Sequence, residues 1–300
     1  MIVVFGSINI DQVYQMQAHP KPGETILGTG YVQVPGGKGA NQALAARRAG
    51  TEVAMVGAVG EDANADPALS LMREEQVDLS LIARTANPTG CASIWVDGKA
   101  ENSIVVVSGA NGDAKAKQIT SATLKKADYL LLQMEVDAAE NWKAVKVAKK
   151  AGVKSILNLA PAGNVPEAVL KDLDYLVVNE VEADAIARQH GLDDLSGDEL
   201  VAEIARRFDL CCVLTLGSQG VIAAEDGWVI RVPAIAVKPV DTTAAGDSFI
   251  GGFAAALSEG KSLQDALQFG AAAGGLACTV AGAQTSLPYR DKINEILKSL

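Results

Sequence analysis

A carboxylate that follows a run of small residues into a helix can do chemistry that most surface carboxylates cannot. Asp241-Thr-Thr-Ala-Ala-Gly-Asp-Ser-Phe249 is such a stretch. Pro239, just upstream, favours an extended strand end, and the apolar run 249–257 predicts a helix. Small residues at a helix start leave backbone N–H groups free to face an anion, and the helix dipole adds to the attraction. Asp247 then has two readings. It is a helix-terminal acid that offsets the dipole, worth about 0.3–1 kcal/mol, or a general base beside a cradle for an oxyanion or phosphate.

Other polar residues gather at strand ends. Asn9 and Asp11 follow a short apolar first strand, and in open α/β sheets ligands sit at that carboxyl end. Pro35-Gly-Gly-Lys-Gly-Ala-Asn41 invites a phosphate-loop reading, but Gly39 stands where that motif needs Ser or Thr, and no glycine lies five residues before Gly37. These glycines either let the backbone approach a small polar ligand, with Lys38 and Asn41 as donors, or form a tight turn. Further strands end in Glu135, Asn158, Asn179 and Thr215-Leu-Gly217. Asn179-Glu-Val-Glu182 fits a capping box, which alone would explain it. In the company of the other motifs, Glu182 is also placed to order magnesium-bound water. Thr215-Leu216-Gly217-Ser218-Gln219-Gly220 is a strand followed by a glycine-bounded turn suited to passing beneath a nucleotide.

These residues need elements to position them. From residue 127 onwards β-rich runs (129–133, 155–158, 175–179, 212–216) alternate with helical segments (138–151, 166–170, 180–190, 199–208), which predicts βαβ units and a parallel sheet. The segment 53–60 reads as a buried strand, 67–75 as an amphipathic helix, and 42–49 as a helix closed by Gly50. Residues 91–96 and 102–107 form a hairpin across Asp97-Gly98-Lys99. With the β-branched stretch 25–34 they make a small antiparallel sheet standing apart from the main one.

Composition removes several classes of function. A formal net charge of −10 argues against nucleic acid or an anionic membrane as the main partner, so a phosphorylated ligand needs a local positive site. Two histidines, His19 and His190, make a histidine metal site or a Ser-His-Asp triad improbable. The four cysteines show no CxxC spacing, and Cys211, Cys212 and Cys278 fall in apolar segments, so reduced thiols in a cytoplasmic protein are expected. No signal-peptide pattern opens the chain, and the uncharged stretch 266–289 is too weakly apolar for a membrane span.

In order along the chain, Gly6-Ser-Ile-Asn-Ile-Asp11, Pro22-Gly-Glu-Thr25, Gly36-Gly-Lys-Gly-Ala-Asn-Gln42, Asn179-Glu-Val-Glu182, the 215–220 turn, the 241–249 stretch and Gly282-Ala-Gln-Thr-Ser286 resemble the ribokinase family of carbohydrate kinases. The likeness spans nearly the whole chain. It implies one ribokinase-like domain over residues 1–300: a three-layer α/β/α sandwich with a mostly parallel sheet and a small β-sheet lid from segments near 11–34 and 91–107. The lid often doubles as a dimer clasp, which implies a homodimer. The implied activity is ATP-dependent phosphorylation of the primary 5-hydroxyl of D-ribose. Another pentose, 2-deoxyribose, a nucleoside, or a non-catalytic sugar or nucleotide sensor are the alternatives, and one hydroxyl contact can decide between pentoses.

By the same resemblance Asp247 is the base, and Ala244, Ala245 and Gly246 form the anion hole. Asn9, Asp11, Gly37, Lys38, Asn41 and Glu135 contact sugar. Asn179, Gly246 and residues Thr215, Leu216, Gly217, Ser218, Gln219 and Gly220 bind ATP, and Glu182 acts on Mg2+ through water. Asp241 and Thr243, with Ala277, Val280, Gly282 and Ser286 of the late loop, match a monovalent-cation site, K+ being expected; the plainer reading of Asp241 is a cap on its own turn. Two departures stand out. Ser248 replaces a Thr, and Ala271 stands where a His often lies near adenine.

Overall fold

Strands that send alternate side chains into two separate cores organise the computed structural model of this protein, which describes residues 1–99 and 101–299. In β1 (Ile2–Phe5), Ile2 and Val4 enter one core while Val3 and Phe5 enter the other. A strand apolar on both faces must be covered by helices on both, and the chain supplies them.

The strands that follow are β2 (Asn9–Gln15), β3 (Gly30–Gly36), β4 (Val53–Gly60), β5 (Asp78–Thr85), β6 (Gly90–Val96), β7 (Asn102–Val107) and β8 (Tyr129–Leu132). β9 (Lys154–Asn158), β10 (Tyr175–Asn179), β11 (Cys211–Thr215), β12 (Val221–Glu225) and β13 (Trp228–Val232) complete them. Among the described residues, nine form one sheet in the order β13-β12-β11-β10-β9-β8-β1-β4-β5, parallel except for the β11–β12 and β12–β13 pairs. The first core is closed by α1 (Lys38–Arg48), α2 (Ala65–Glu74), and three late helices, α8 (Ala245–Ser258), α9 (Leu263–Ala277) and α10 (Arg290–Leu297). The second core is closed by α3 (Ser121–Leu124), α4 (Ala138–Ala151), α5 (Glu167–Leu170), α6 (Glu180–His190) and α7 (Gly197–Phe208). The architecture is the expected α/β/α sandwich.

Strand order creates a crevice. The chain leaves β1 towards β4 and β5, then returns to place β8 on β1's other edge. Connections therefore diverge from the β1–β8 boundary, the kind of switch point at which α/β sheets hold ligands. The second sheet, in the order β3-β2-β6-β7, is antiparallel apart from the parallel β2–β6 pair, and both of its segments come from the stretches expected to form a lid.

Some local readings shift. The strand read at 25–34 is confined to β3, and residues 25–29 carry no strand. The β12–β13 hairpin and β5 were not read from the sequence, although Asp226 and Gly227 in the hairpin turn, both at positive φ (50° and 82°), are an Asp-Gly signal. α1 begins at Lys38 and not Gln42, because its first N–H groups find acceptors far off in sequence: Lys38 on Glu135 Oε2 at 2.9 Å, Gly39 on Ser7 Oγ at 3.2 Å. Gly37, at φ 88°, turns the chain into that helix; a Cβ there would stand 2.9 Å from the Asn9 backbone nitrogen.

The position of α8 is set by contact with α1. A Cβ on Gly251 would lie 2.7 Å from the Ala46 nitrogen and 2.8 Å from the Gln42 carbonyl oxygen. On its far side a Cβ on Gly252 would lie 2.9 Å from Ala273 of α9. Two adjacent glycines thus let α8 sit between its neighbours at backbone distance.

Candidate active site

Asp247 lies in the first turn of α8, whose N-cap, Ala244, holds a left-handed φ of 59°. Its carboxylate is buried and accepts one hydrogen bond on each oxygen: Asn41 Nδ2–H on Oδ2 and Gln42 Nε2–H on Oδ1, both at 2.9 Å. A plain helix-terminal acid needs neither. Around it the N–H of Ala245 is turned onto the Thr242 carbonyl at 3.2 Å and that of Ser248 onto Ala244 at 2.8 Å. Among the described residues the N–H groups of Ala244, Gly246 and Asp247 carry no such bond, which leaves an anion-facing set at the helix start.

Three adjoining cavities run past this point. One of about 580 Å³ lies below the lid and is lined by Asn9, Lys38, Ser108, Asn111, Met134 and Glu135, with Val106 of β7 above. A second, about 240 Å³, has Lys38, Asn179, Glu182, Ala244, Gly246 and Asp247 in its wall. A third, about 520 Å³, is walled by Thr215, Gly217, Ser218, Gly220, Ile235, Val237, Ala271 and Gly275. Lys38 is shared by the first two, and Thr215, Thr242 and Gly246 by the last two. The three cavities therefore adjoin one another, with Asp247 in the wall of the middle one.

The polar side chains in and behind the first cavity are tightly cross-linked. Glu135 Oε2 accepts from Ser7 Oγ at 2.6 Å as well as from Lys38 N–H, joining the ends of β1 and β8 to α1. Asn111 accepts from Ile8 N–H at 2.8 Å and donates to Asn9 Oδ1 at 2.7 Å, so the Asn9 amide presents its N–H groups elsewhere. Asp11 packs against Gly36, where a Cβ would stand 2.7 Å from its Oδ1. Asp11, Gly37 and Asn41 stand outside the lining of this cavity, and Asp11 Oδ1 and Asn41 Oδ1 are buried acceptors without any partner. Buried oxygens of this kind are costly unless a donor arrives.

Charges here are strongly coupled. Burial, then the nearby Glu135 and Asp247 carboxylates, push the Asp11 carboxyl up to about 7. Burial opposes the charge of Lys38, but Asp247, Glu135 and Glu182 together outweigh it and raise that ammonium above its ordinary value. Glu182 is raised by burial, against which the Asn179 N–H and Lys38 act.

The remaining predicted residues are placed as follows. Asn179 and Glu182 complete the capping box, with Asn179 N–H on Glu182 Oε2 at 2.8 Å and Glu182 N–H on Asn179 Oδ1 at 2.9 Å, yet both also face the second cavity. Leu216 and Gln219 lie outside the lining of the third cavity, unlike the other members of their turn. Asp241 accepts from Thr243 N–H and Oγ1–H on one oxygen and from Gly282 N–H at 2.8 Å on the other, tying its loop to the late loop that carries Val280 and Ser286, whereas Ala277 is the last residue of α9 and not part of that loop. Burial works against its charge, but those hydrogen bonds from Thr243 and Gly282 prevail and hold the carboxyl below the usual range. Ser248 faces away from the cavities and donates to the Ala273 carbonyl at 2.9 Å. Sequence reasoning passed over Asn111, and the Gln42 and Gln133 side chains behind Asp247. Only their long-range bonds give them away.

The chain is similar to known proteins over nearly its whole length. The family model described as pfkB family carbohydrate kinase matches residues 1–290. A ribokinase of Haemophilus influenzae is 37% identical over 300 residues, covering 99% of this chain and 98% of the relative. The solved ribokinase of Thermotoga maritima superposes with a TM-score of 0.93 at 34% identity, covering 99% of both chains. The Arabidopsis thaliana ribokinase, solved in complex with ribose and ATP, superposes at 0.90 with 34% identity over 99% of this chain and 98% of that one.

The raised carboxyl of Asp11 makes a prediction about stability in the absence of ligand. A carboxyl raised in the fold from 3.8 to about 7 contributes stability that is complete below the unfolded value and is lost as pH rises towards about 7. Asp11→Asn, which cannot ionise, is therefore expected to raise the melting temperature at pH 8 and to leave it nearly unchanged at pH 4. Thermal scans across that range check this; a gain that is equal at both ends would show that Asp11 does not titrate in this way.

Proposed function

We propose that this chain, which belongs to the pfkB family of carbohydrate kinases, transfers the γ-phosphoryl group of ATP to the primary hydroxyl of D-ribose. The observation that carries the sugar half is the pair of buried acceptors, Asp11 Oδ1 and Asn41 Oδ1, that lack any donor in the protein. Adjacent ring hydroxyls would supply donors to both. The solved relative with ribose and ATP bound supports the same substrates for this chain.

The residues divide the work between them. The sugar's primary hydroxyl would donate to Asp247, which takes the proton as the oxygen–phosphorus bond forms and the bond from the γ-phosphorus to the bridging oxygen of ADP breaks. Free N–H groups at the start of α8 and the Lys38 ammonium would meet charge on the transferring group. Adjoining cavities would hold the two substrates next to each other, and positioning is most of what the chemistry needs. Asn179, Gly217, Ser218 and Gly220 would hold the nucleotide. Ala271 would leave the purine face to apolar contacts with Ile235, Val237 and Gly275.

Magnesium would neutralise phosphate charge. Among the described residues no group of three or more His, Cys, Asp or Glu side chains could hold a metal. This fits an ion that arrives on the nucleotide with much of its water shell, ordered by Glu182. No helix among the described residues is long and apolar enough to cross a membrane, and a cytoplasmic setting is part of this proposal.

ATP consumption over a panel of pentoses, hexoses and nucleosides is expected to peak with D-ribose. Asp247→Asn is expected to keep sugar binding while lowering kcat by about 10²–10⁴. Turnover with adenosine but with no pentose would overturn the substrate, and a variant above about a tenth of the wild-type rate would overturn the base.

The cation proposal rests on Asp241, which ties together the two loops flanking the anion cradle. Its carboxylate and the carbonyls of Thr243, Ala277, Val280 and Gly282, with Ser286 nearby, suit a large, weakly hydrated ion such as K+. Activity at constant ionic strength is expected to rise with potassium, and Asp241→Ala to abolish the rise. Equal rates in potassium, sodium and a quaternary ammonium salt would reject it.

A homodimer through the lid sheet is supported by its apolar surface: Tyr31, Ile104, Val105, Val106 and Val107 are all more than half exposed. Light scattering should return twice the chain mass, and Val105→Glu should return one; a monomeric wild type would exclude the clasp.

A further inference from the structure

Behind Asp247 lies a line of buried amides joined by hydrogen bonds, in which Gln133 Oε1 and Asn141 Oδ1 stay without a partner. Gln42 is wholly buried, and every polar atom of its carboxamide is used. Its Nε2 gives hydrogen bonds to Asp247 Oδ1 at 2.9 Å and to Asn158 Oδ1 at 3.0 Å. Its Oε1 accepts from Gln133 Nε2 at 2.7 Å. At the next step Asn141 Nδ2 donates to the Gln133 backbone carbonyl at 2.7 Å. The line runs from α4 through the ends of β8 and β9 to α1 and finally to the carboxylate on α8.

Two facts distinguish Gln42 from a glutamine that merely satisfies a core. First, the recorded side-chain bonds to Asp247 both come from α1, and they come on opposite oxygens. Asn41, on the other oxygen, keeps its own Oδ1 unpartnered for a ligand, whereas Gln42 has nothing left to offer one. Second, Asp247 is buried beside Asp11 and Glu135, with Lys38 as the facing cation and Glu182 beyond it. A carboxylate among carboxylates keeps its orientation only where neutral donors hold it.

From this geometry we infer that Gln42 is a positioning residue for phosphoryl transfer: locked by Gln133 and Asn158, it fixes the plane of the Asp247 carboxylate so that the oxygen facing the sugar meets the primary hydroxyl in line with the phosphate. It touches no substrate. The inference rests on the sugar-kinase reading, and wild-type turnover on the sugar panel, measured first, separates failure of that reading from failure of this one.

The test is a double-mutant cycle by steady-state kinetics at saturating ATP with the best sugar of the panel. Gln42→Met preserves volume and removes the donors. It is expected to lower kcat by about 10²-fold, the order associated with misplacing a reacting group by an ångström, while the sugar KM stays within about threefold because Asn9, Asp11 and Asn41 are untouched. In an Asp247→Asn background the same change is expected to cost nothing further, since a group acting through the base loses its effect with the base. Gln133→Met, which leaves Gln42 in place but removes its lock, is expected to lower kcat by about tenfold with the same loss of effect in the Asp247→Asn background. This second variant carries the test alone if Gln42→Met does not fold. An unchanged kcat, a loss wholly in KM, or a loss that multiplies with Asp247→Asn would each overturn the inference.

Discussion

The contact between α1 and α8 at backbone distance is the constraint on which this site depends. Residues at the start of α1 hold both the sugar side of the crevice and the two amides that grip Asp247. That grip exists only because Gly251 brings no side chain between the helices. Any residue larger than glycine at 251 must push α8 outward, and interiors this close accommodate extra methyl groups poorly. A helix start, a base and a ligand-facing amide therefore move as one body. The setting of Asp247 is inherited from helix–helix contact, since it lies in the first turn of α8 itself.

A second constraint is electrostatic. Asp11, Glu135, Glu182 and Asp247 surround a single ammonium, that of Lys38, in a chain whose formal net charge is already −10. Such a cluster would be costly unless each carboxylate had donors. Glu135 takes Ser7 and the Lys38 N–H, Glu182 takes Asn179, and Asp247 takes two amides. Asp11 keeps a buried oxygen without a partner, and its carboxyl is the one raised to about 7. In the wall of the middle cavity the Lys38 ammonium stands with the Glu182 and Asp247 carboxylates, beside Ala244 and Gly246 at the start of α8.

The lid is built differently from the body. Every residue of β7 is exposed, whereas β1, β4 and β8 are buried throughout. Such a sheet gains little from its own core, so its stability must come from what it covers or from a second surface. Its link to the body runs through Asn111, which ties the end of the lid segment to Ile8 and Asn9. The amide that orients Asn9 thus belongs to the turn that directly follows β7 of the small sheet.

Much of this was legible in the sequence because it is local. Alternation of strands and helices, the Asp-Gly turn of the lid hairpin, the capping box at Asn179 and the small residues ahead of Asp247 each act within a few residues, and their periodicity and turn chemistry survive without the rest of the chain. Even the likeness to a kinase family lay in short ordered motifs. Tertiary structure alone decided the rest. It made the β1–β8 boundary the crevice, because strand order is not written in strand composition. It began α1 four residues early, because the caps Glu135 and Ser7 reach Lys38 and Gly39 across 97 and 32 residues. And it turned Asp247 from a helix-terminal acid into a buried carboxylate gripped by two amides. The donors that make the difference lie 205 and 206 residues away, and a hydrogen bond of a few ångströms across such a separation leaves no periodic trace in the chain.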